Sequence, residues 1–278
     1  MSSEKKELLN MPNKTIKILF FGDVVGSLGR KAVKHMLPIW QTKYQPDLSI
    51  ANIENLAHGK GLTLKTLQEI KTTGVDLFTG GNHIWSKEDI LEIEKQEKFP
   101  IAFPANDSRT LNNYTYQSKT VNDQKVVVFN LCGRTFMQDD NLSNPFLAAD
   151  KFLASFPPDA LTILDFHAEA TSEKRALGLY LDGRISAVLG THTHVPTNDA
   201  QILAQGTGYI TDVGMIGLYP SVIGVEAQVI IDKFVNESAL SHRYPDSGQI
   251  EINALLLEVD KDSKKTVAIQ TLREILAN

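Results

Sequence analysis

The 278-residue sequence holds a single cysteine, Cys132, which excludes an internal disulfide framework and a cysteine-rich zinc site and suits a reducing, intracellular setting. Any metal bound here must be held through nitrogen and oxygen. No stretch approaches the roughly 18 uncharged apolar residues of a membrane span, and the opening MSSEKKELLNMPNK lacks the apolar core of a secretory signal. A long basic block is missing too. With 28 Lys+Arg against 33 Asp+Glu the formal charge is -5, so binding along a duplex nucleic acid is not expected. Internal repeats, low-complexity tracts and Pro/Gly/Ser-rich linkers are also absent. The expectation is a cytoplasmic protein away from the membrane, with a disordered leader over residues 1–14 and one domain over 15–278.

What is present is an alternation of short apolar runs with amphipathic stretches. IKILFFGD reads as a first strand, and residues 28–44 as a helix whose Val33, Met36, Leu37 and Trp40 recur at helical spacing. DLSIAN and VDLFTG read as further strands, separated by the helical TLKTLQEIKTTG and followed by SKEDILEIEKQEK, for which Ser86 is the expected N-cap. NYTYQSKTVNDQKVVVFNL interrupts the pattern as a hairpin turning at Asn122 and Asp123. The strand-helix alternation then resumes with LTILDF, SEKRALGLYL and ISAVLG, and the tail adds a second hairpin, EINALLLEV and KTVAIQTL. This is the pattern of an α/β fold with helices outside the sheet.

Polar residues collect where these strands end. The first delivers Asp23; the second is followed by Glu54 and Asn55; VDLFTG leads to Asn82 and His83; LTILDF to His167; and ISAVLG to His192 and His194 in GTHTHVP. Each alone has an ordinary explanation, as a turn residue, a helix cap or a satisfied histidine. Together they point chemistry at one rim, since ligands of α/β sheets gather beyond the strands' carboxyl ends. In an extended segment, His192 and His194 would face the same way. Three imidazoles, two carboxylates and two amide oxygens make a donor set for two ions, with a carboxylate such as Glu54 able to bridge them. GDVVGSLGRK also follows a strand and opens a helix, yet it carries neither a G-x-G-x-x-G fingerprint nor a phosphate-binding G-x-x-x-x-G-K-[ST] loop.

The order GD, EN, GNH, H, GTHTH resembles the calcineurin-like metallophosphoesterases. The fuller phrases FFGDVVGSLGR, NIENLAHGKGLT, GGNHIW, DFHAEATSEK, GTHTHVPTNDAQIL and TDVGMIG are similar to the YmdB-like bacterial branch, from about Ile16 to beyond Gly217. The resemblance implies a four-layer α-β-β-α sandwich of mixed sheets. It implies Asp23, Glu54, Asn55 and His194 around one ion and Glu54, Asn82, His167 and His192 around a second, with Glu54 shared. His83 takes the place of the histidine beside the scissile phosphate. Val25 and Glu54 stand where the wider superfamily has a histidine and an aspartate, a feature of this branch, and Leu56, Ser86 and Ile216 depart from the branch at positions that are not ligands.

The implied activity is dinuclear, metal-dependent hydrolysis of a phosphodiester by a hydroxide held between the ions, with cyclic nucleotides, 2',3'-cyclic ones among them, as substrates. Iron or manganese is the expected metal, with zinc also compatible. Arg134 and Arg175 are candidate phosphate contacts. A phosphomonoesterase and a regulatory metal- or nucleotide-binding protein with little turnover are the alternatives, and a homo-oligomer is compatible with the sequence.

Overall fold

The computed structural model describes residues 14–95, 99–237 and 241–277; the expected leader, Lys14 apart, lies outside them. In chain order the elements are β1 (Thr15–Val24), α1 (Gly26–Tyr44), β2 (Leu48–Asn52), α2 (Leu64–Lys71), β3 (Leu77–Thr79), a 3-10 turn (Asn82–Ser86), α3 (Asp89–Lys95) and β4 (Ile101–Ala102). After a second 3-10 turn (Asn112–Tyr114) come β5 (Tyr116–Val121), β6 (Gln124–Cys132), α4 (Pro145–Ser155), β7 (Leu161–His167), α5 (Thr171–Tyr180) and β8 (Ala187–Thr191). The remainder is β9 (Gln201–Ile202), β10 (Gly208–Ile210), β11 (Met215–Tyr219), β12 (Ser221–Val222), β13 (Val225–Glu226), α6 (Ala227–Asn236), β14 (Gln249–Asp260) and β15 (Thr266–Leu276).

The strands form two large sheets, one ordered β15-β14-β11-β1-β2-β3-β4 and the other β5-β6-β7-β8-β10-β9. Strand alternation explains how they stack. Along β1, Ile16, Ile18 and Phe20 face a core shared with Val126, Val128, Leu161, Ile163 and Leu189 of the second sheet. Leu19 and Phe21 face the other way, onto Val33, Met36, Leu37 and Trp40 of α1 and Leu67 and Ile70 of α2. Beyond the second sheet, Phe129, Leu164 and Phe166 meet Ala148 and Ala149 of α4 and Leu177 of α5. The layers are therefore helix, sheet, sheet, helix, and each sheet is mixed: β1–β2–β3–β4 and β6–β7–β8–β10 are parallel, while β14, β15 and β5 run antiparallel to their neighbours.

The hairpin at Asn122 and Asp123 is present, with both residues left-handed at φ 47° and 63°, the backbone that matches the twist of a two-residue hairpin. The tail hairpin does more than cap the chain. β14 lies antiparallel to β11 with its first half and to β1 with its second, so the last strands complete the sheet that the first one starts. The helix read from residue 28 begins at Gly26, whose φ of +61° lets the chain turn straight out of β1. Ser86 does not open a helix: residues 82–86 tighten into a 3-10 turn, Lys87 is extended, and α3 starts at Asp89. Apolar periodicity could not show that turn, because Asn82 and His83 are drawn to the rim and the chain needs a tight bend to bring them there.

Candidate metal centre

The parallel strands β1, β2, β3, β7 and β8 all end at the same rim, where the two sheets meet. Asp23, Glu54, Asn55 and His167 are buried there. Two groups of donor atoms lie within coordinating reach of one another, Glu54 with His167 and His192, and Asp23 with Glu54 and His194. Glu54 belongs to both. Five of the residues singled out in the sequence, Asp23, Glu54, His167, His192 and His194, thus converge, and His192 and His194 fall into different groups.

They do so by a route the sequence did not suggest. Thr191 ends β8, and both histidines have positive φ, 99° for His192 and 66° for His194. The segment is therefore not extended, and the two rings are aimed separately by the backbone instead of by alternation. Such backbone costs roughly 1–3 kcal/mol per residue and persists only where neighbours hold it. Here the His192 N–H donates to Asp23 Oδ2 at 3.2 Å and the Met215 N–H to the His194 carbonyl at 3.1 Å. Asp212 accepts from the N–H and hydroxyl of the intervening Thr193, at 3.1 and 2.8 Å. Lys174, itself buried, donates to Asp212 and to the Thr191 carbonyl, each at 2.7 Å.

Each imidazole has one nitrogen committed outside the cluster. Thr191 donates its hydroxyl to Asp165 at 2.6 Å, so it accepts from His167 Nδ1–H at 2.9 Å. His194 Nδ1–H donates to the Ile223 carbonyl at 2.9 Å, and His192 Nε2 lies 3.1 Å from Glu169 Oε2. In the neutral ring this leaves a lone pair on His167 Nε2, and around it stand three more acceptors: Asn82 Oδ1 at 3.0 Å, His192 Nδ1 at 3.0 Å and Glu54 Oε1 at 3.2 Å. One proton cannot serve three acceptors at once, whereas a cation can. Donors about 2.1 Å from one ion and at about 90° sit roughly 3 Å apart.

Two further observations fit an ion. Asp23 Oδ1 and Asn55 Oδ1 are buried with no hydrogen-bond partner; the Asn55 amide is oriented by its Nδ2 donating to the Gly59 carbonyl at 2.9 Å. Gly81 comes so close that a Cβ there would meet Glu54 Oε2 at 2.3 Å and His167 Nε2 at 2.6 Å. Orphaned buried acceptors normally cost about 1–3 kcal/mol each, and a glycine required only by close approach marks a space kept clear for something else.

The electrostatics agree. Burial pushes the Asp23 carboxyl up to about 7, against the pull of His194 and His167. Burial would also raise Glu54, but the charge and hydrogen bond of His167 hold it below the ordinary carboxylate range. Burial opposes charge on His167, yet Glu54 and Asp23 raise it to about 9. Burial and the adjoining His167 drive His192 down to about 3. Without an ion, the cluster demands one positive charge and places it on His167.

His83 lies at the edge of this group, its backbone N–H donating to Glu54 Oε2 at 2.9 Å; burial lowers its pKa, outweighing Glu54. Arg134 is exposed on the loop after β6, its backbone N–H donating to Glu173 at 3.0 Å. Arg175 is directed elsewhere, with its guanidinium over the Tyr209 ring and within 3.4 Å of Gln201. Sequence reasoning passed over Glu169, Lys174 and Asp212. For Lys174 the usable signal was position, a lysine beginning a helix immediately after a ligand-bearing strand; for Asp212 it was its place in TDVGMIG.

The family described as YmdB-like protein matches residues 19–272. A 2',3'-cyclic-nucleotide 2'-phosphodiesterase of Bacillus subtilis (strain 168) is 42% identical over 265 residues, covering 92% of this chain and 96% of that protein. The crystal structure of a phosphatase from Mycoplasma pneumoniae superposes with a TM-score of 0.88 at 36% identity, covering 95% of each chain. The NAD nucleotidase of Haemophilus influenzae shares the fold at a TM-score of 0.59 and 13% identity, over 94% of this chain and 56% of its own.

Proposed function

The chain belongs to the YmdB-like family of metallophosphoesterases, phosphoric ester hydrolases that work with divalent metal ions, and from that membership we propose that it is a dinuclear phosphodiesterase acting on 2',3'-cyclic nucleotides. The observation that carries the reading is the set of three imidazoles, each with one nitrogen facing a protein acceptor outside the cluster, gathered around the buried Glu54, with Asp23 beside His194 as well. One ion would be held by Asp23, Glu54, Asn55 and His194, the other by Glu54, Asn82, His167 and His192. With nitrogen and oxygen donors and no thiolate, iron or manganese suits the site best and zinc is compatible.

Bound there, the two ions would lower the pKa of an attacking water and neutralise charge on the phosphoryl oxygens. The chain's own residues supply the rest. A cyclic phosphodiester opens when a P–O bond forms from water and one ring P–O bond breaks, which leaves a ribose oxygen in need of a proton. His83 stands beside Glu54 with its backbone fixed, so its ring can donate a hydrogen bond to that oxygen. Burial keeps it neutral in the free site, and the arriving anionic phosphate raises its proton affinity toward that of a general acid.

Elemental analysis beside assays on 2',3'-cyclic, 3',5'-cyclic and monoester substrates tests this reading. Two ions per chain and chelator-sensitive opening of the 2',3'-cyclic substrate are expected. Fewer than one ion, or turnover confined to the monoester, would overturn it. His83→Ala should lower kcat about 10²- to 10⁴-fold with the metal content unchanged, and full activity in that variant would remove His83 from the mechanism.

A further inference from the structure

We infer that Glu169 is a positioning residue, holding the His192 ring so that Nδ1 faces the ion shared with Glu54 and His167 and thereby setting how tightly that one ion is bound. The inference rests on the dinuclear reading above and adds to it a residue outside the ligand set.

His192 needs such a partner. Its backbone is left-handed at φ 99°, and its ring meets that of His167 edge-on, with centroids 4.7 Å apart and planes at 77°. Nδ1 lies 3.0 Å from His167 Nε2 inside the cluster, and Nε2 lies 3.1 Å from Glu169 Oε2 outside it. A carboxylate can only accept, so this contact places the ring's hydrogen on Nε2 and leaves the Nδ1 lone pair facing inward. Without it the ring can rotate, or take the other tautomer and put a hydrogen where the ion needs a lone pair.

Glu169 differs from the partners of the other two histidines. Thr191 is buried within a hydrogen-bonded floor that includes Asp165, and Ile223 offers a backbone carbonyl that substitution leaves in place. Glu169 is a half-exposed side chain, at 49%, so replacing it leaves no hole in the core and no unpaired buried charge. Its backbone is nonetheless fixed. Ala168 and Ala170 on either side are buried, the His167 carbonyl accepts from Gly133 N–H at 3.0 Å, and the Ala170 carbonyl accepts from Lys174 N–H at 3.1 Å. Only side-chain freedom is lost when the carboxylate settles on His192.

The test uses the metal-stripped full chain, titrated with Mn²⁺ by calorimetry, with bound metal counted by elemental analysis. The unsubstituted chain should take two ions. Glu169→Ala should weaken one of them about 10- to 100-fold and leave the other unchanged, with the unfolding temperature of the metal-free protein unmoved. Glu169→Gln, whose amide oxygen can accept the same hydrogen, should recover most of the loss, and in a His192→Ala background Glu169→Ala should cost nothing more. Two ions bound by Glu169→Ala at the original affinities overturn the inference alone. So does a Gln variant no better than Ala, or a loss that persists without His192. An unsubstituted chain that takes fewer than two ions overturns the dinuclear reading and this inference with it.

Discussion

A histidine serves as a ligand only when one nitrogen is free and unprotonated, and His167 meets the first condition but not, in the metal-free chain, the second. Its Nδ1–H is given to Thr191, while Glu54 raises the ring's pKa to about 9. An ion arriving below pH 9 must therefore displace a proton from His167. Below about 7 the other ion must displace one from Asp23, whose carboxyl burial has pushed up to about 7. Apparent affinity should fall about tenfold per pH unit below pH 9 for the ion at His167, and about tenfold per unit below pH 7 for the ion at Asp23. Calorimetry at pH 8 in two buffers of different ionisation enthalpy should show close to one proton released per chain, and none released would contradict the assignment. Residue types and spacing made His167, His192 and His194 visible in the sequence. Which nitrogen each offers was not, because hydrogen-bond partners such as Ile223 and Glu169 have no spacing that announces them.

The elements contribute by where they end and by what ties their ends together. A buried tie outside the donor set is the pair Lys174–Asp212, in which α5 reaches across to the segment before β11 and holds Thr191 and Thr193 on either side of His192. Both groups are buried, so removing the lysine strands a carboxylate. Lys174→Met should cost about 3–5 kcal/mol of stability, read as a lowered midpoint in urea; a loss under about 1 kcal/mol would show that the pair is dispensable. Strands β1, β2, β7 and β8 and helix α1 were legible, since each carries its own apolar period. The strand read from VDLFTG is present as β3, while the short β4, β9, β10 and β11 were hard to read because so few residues carry a period, and their pairing partners come from distant parts of the chain.

At the scale of the whole molecule, the two sheets meet at the candidate centre. Asp23, Glu54, Asn55 and Asn82 lie at or beyond the ends of strands of one sheet, and His167, His192 and His194 at or beyond the ends of strands of the other. Ions bound among them would tie the layers together, and a ligand at about 100 times its Kd stabilises the folded state by roughly 2.7 kcal/mol. Chelation should therefore lower the unfolding temperature by about 5–10 °C, restored on adding Mn²⁺; an unchanged melting curve would argue against an ion bridging the sheets. Among the described residues no helix is long and apolar enough to cross a membrane, in line with the absence of such a run in the sequence.

The sequence by itself determined the donor types, their order and the α/β alternation and, through the resemblance, gave the expected layered architecture and the expected division of ligands between two ions. These follow from local periodicity and from motifs short enough to be read along the chain. Tertiary structure alone decided that Asp23 Oδ1 and Asn55 Oδ1 are left without partners, that Gly81 leaves room beside Glu54, and that Glu169, Lys174 and Asp212 hold the histidine segment in place. Each of those depends on groups distant in sequence approaching within hydrogen-bonding or van der Waals distance. A one-dimensional pattern names the residues, but not the distances that make them act together.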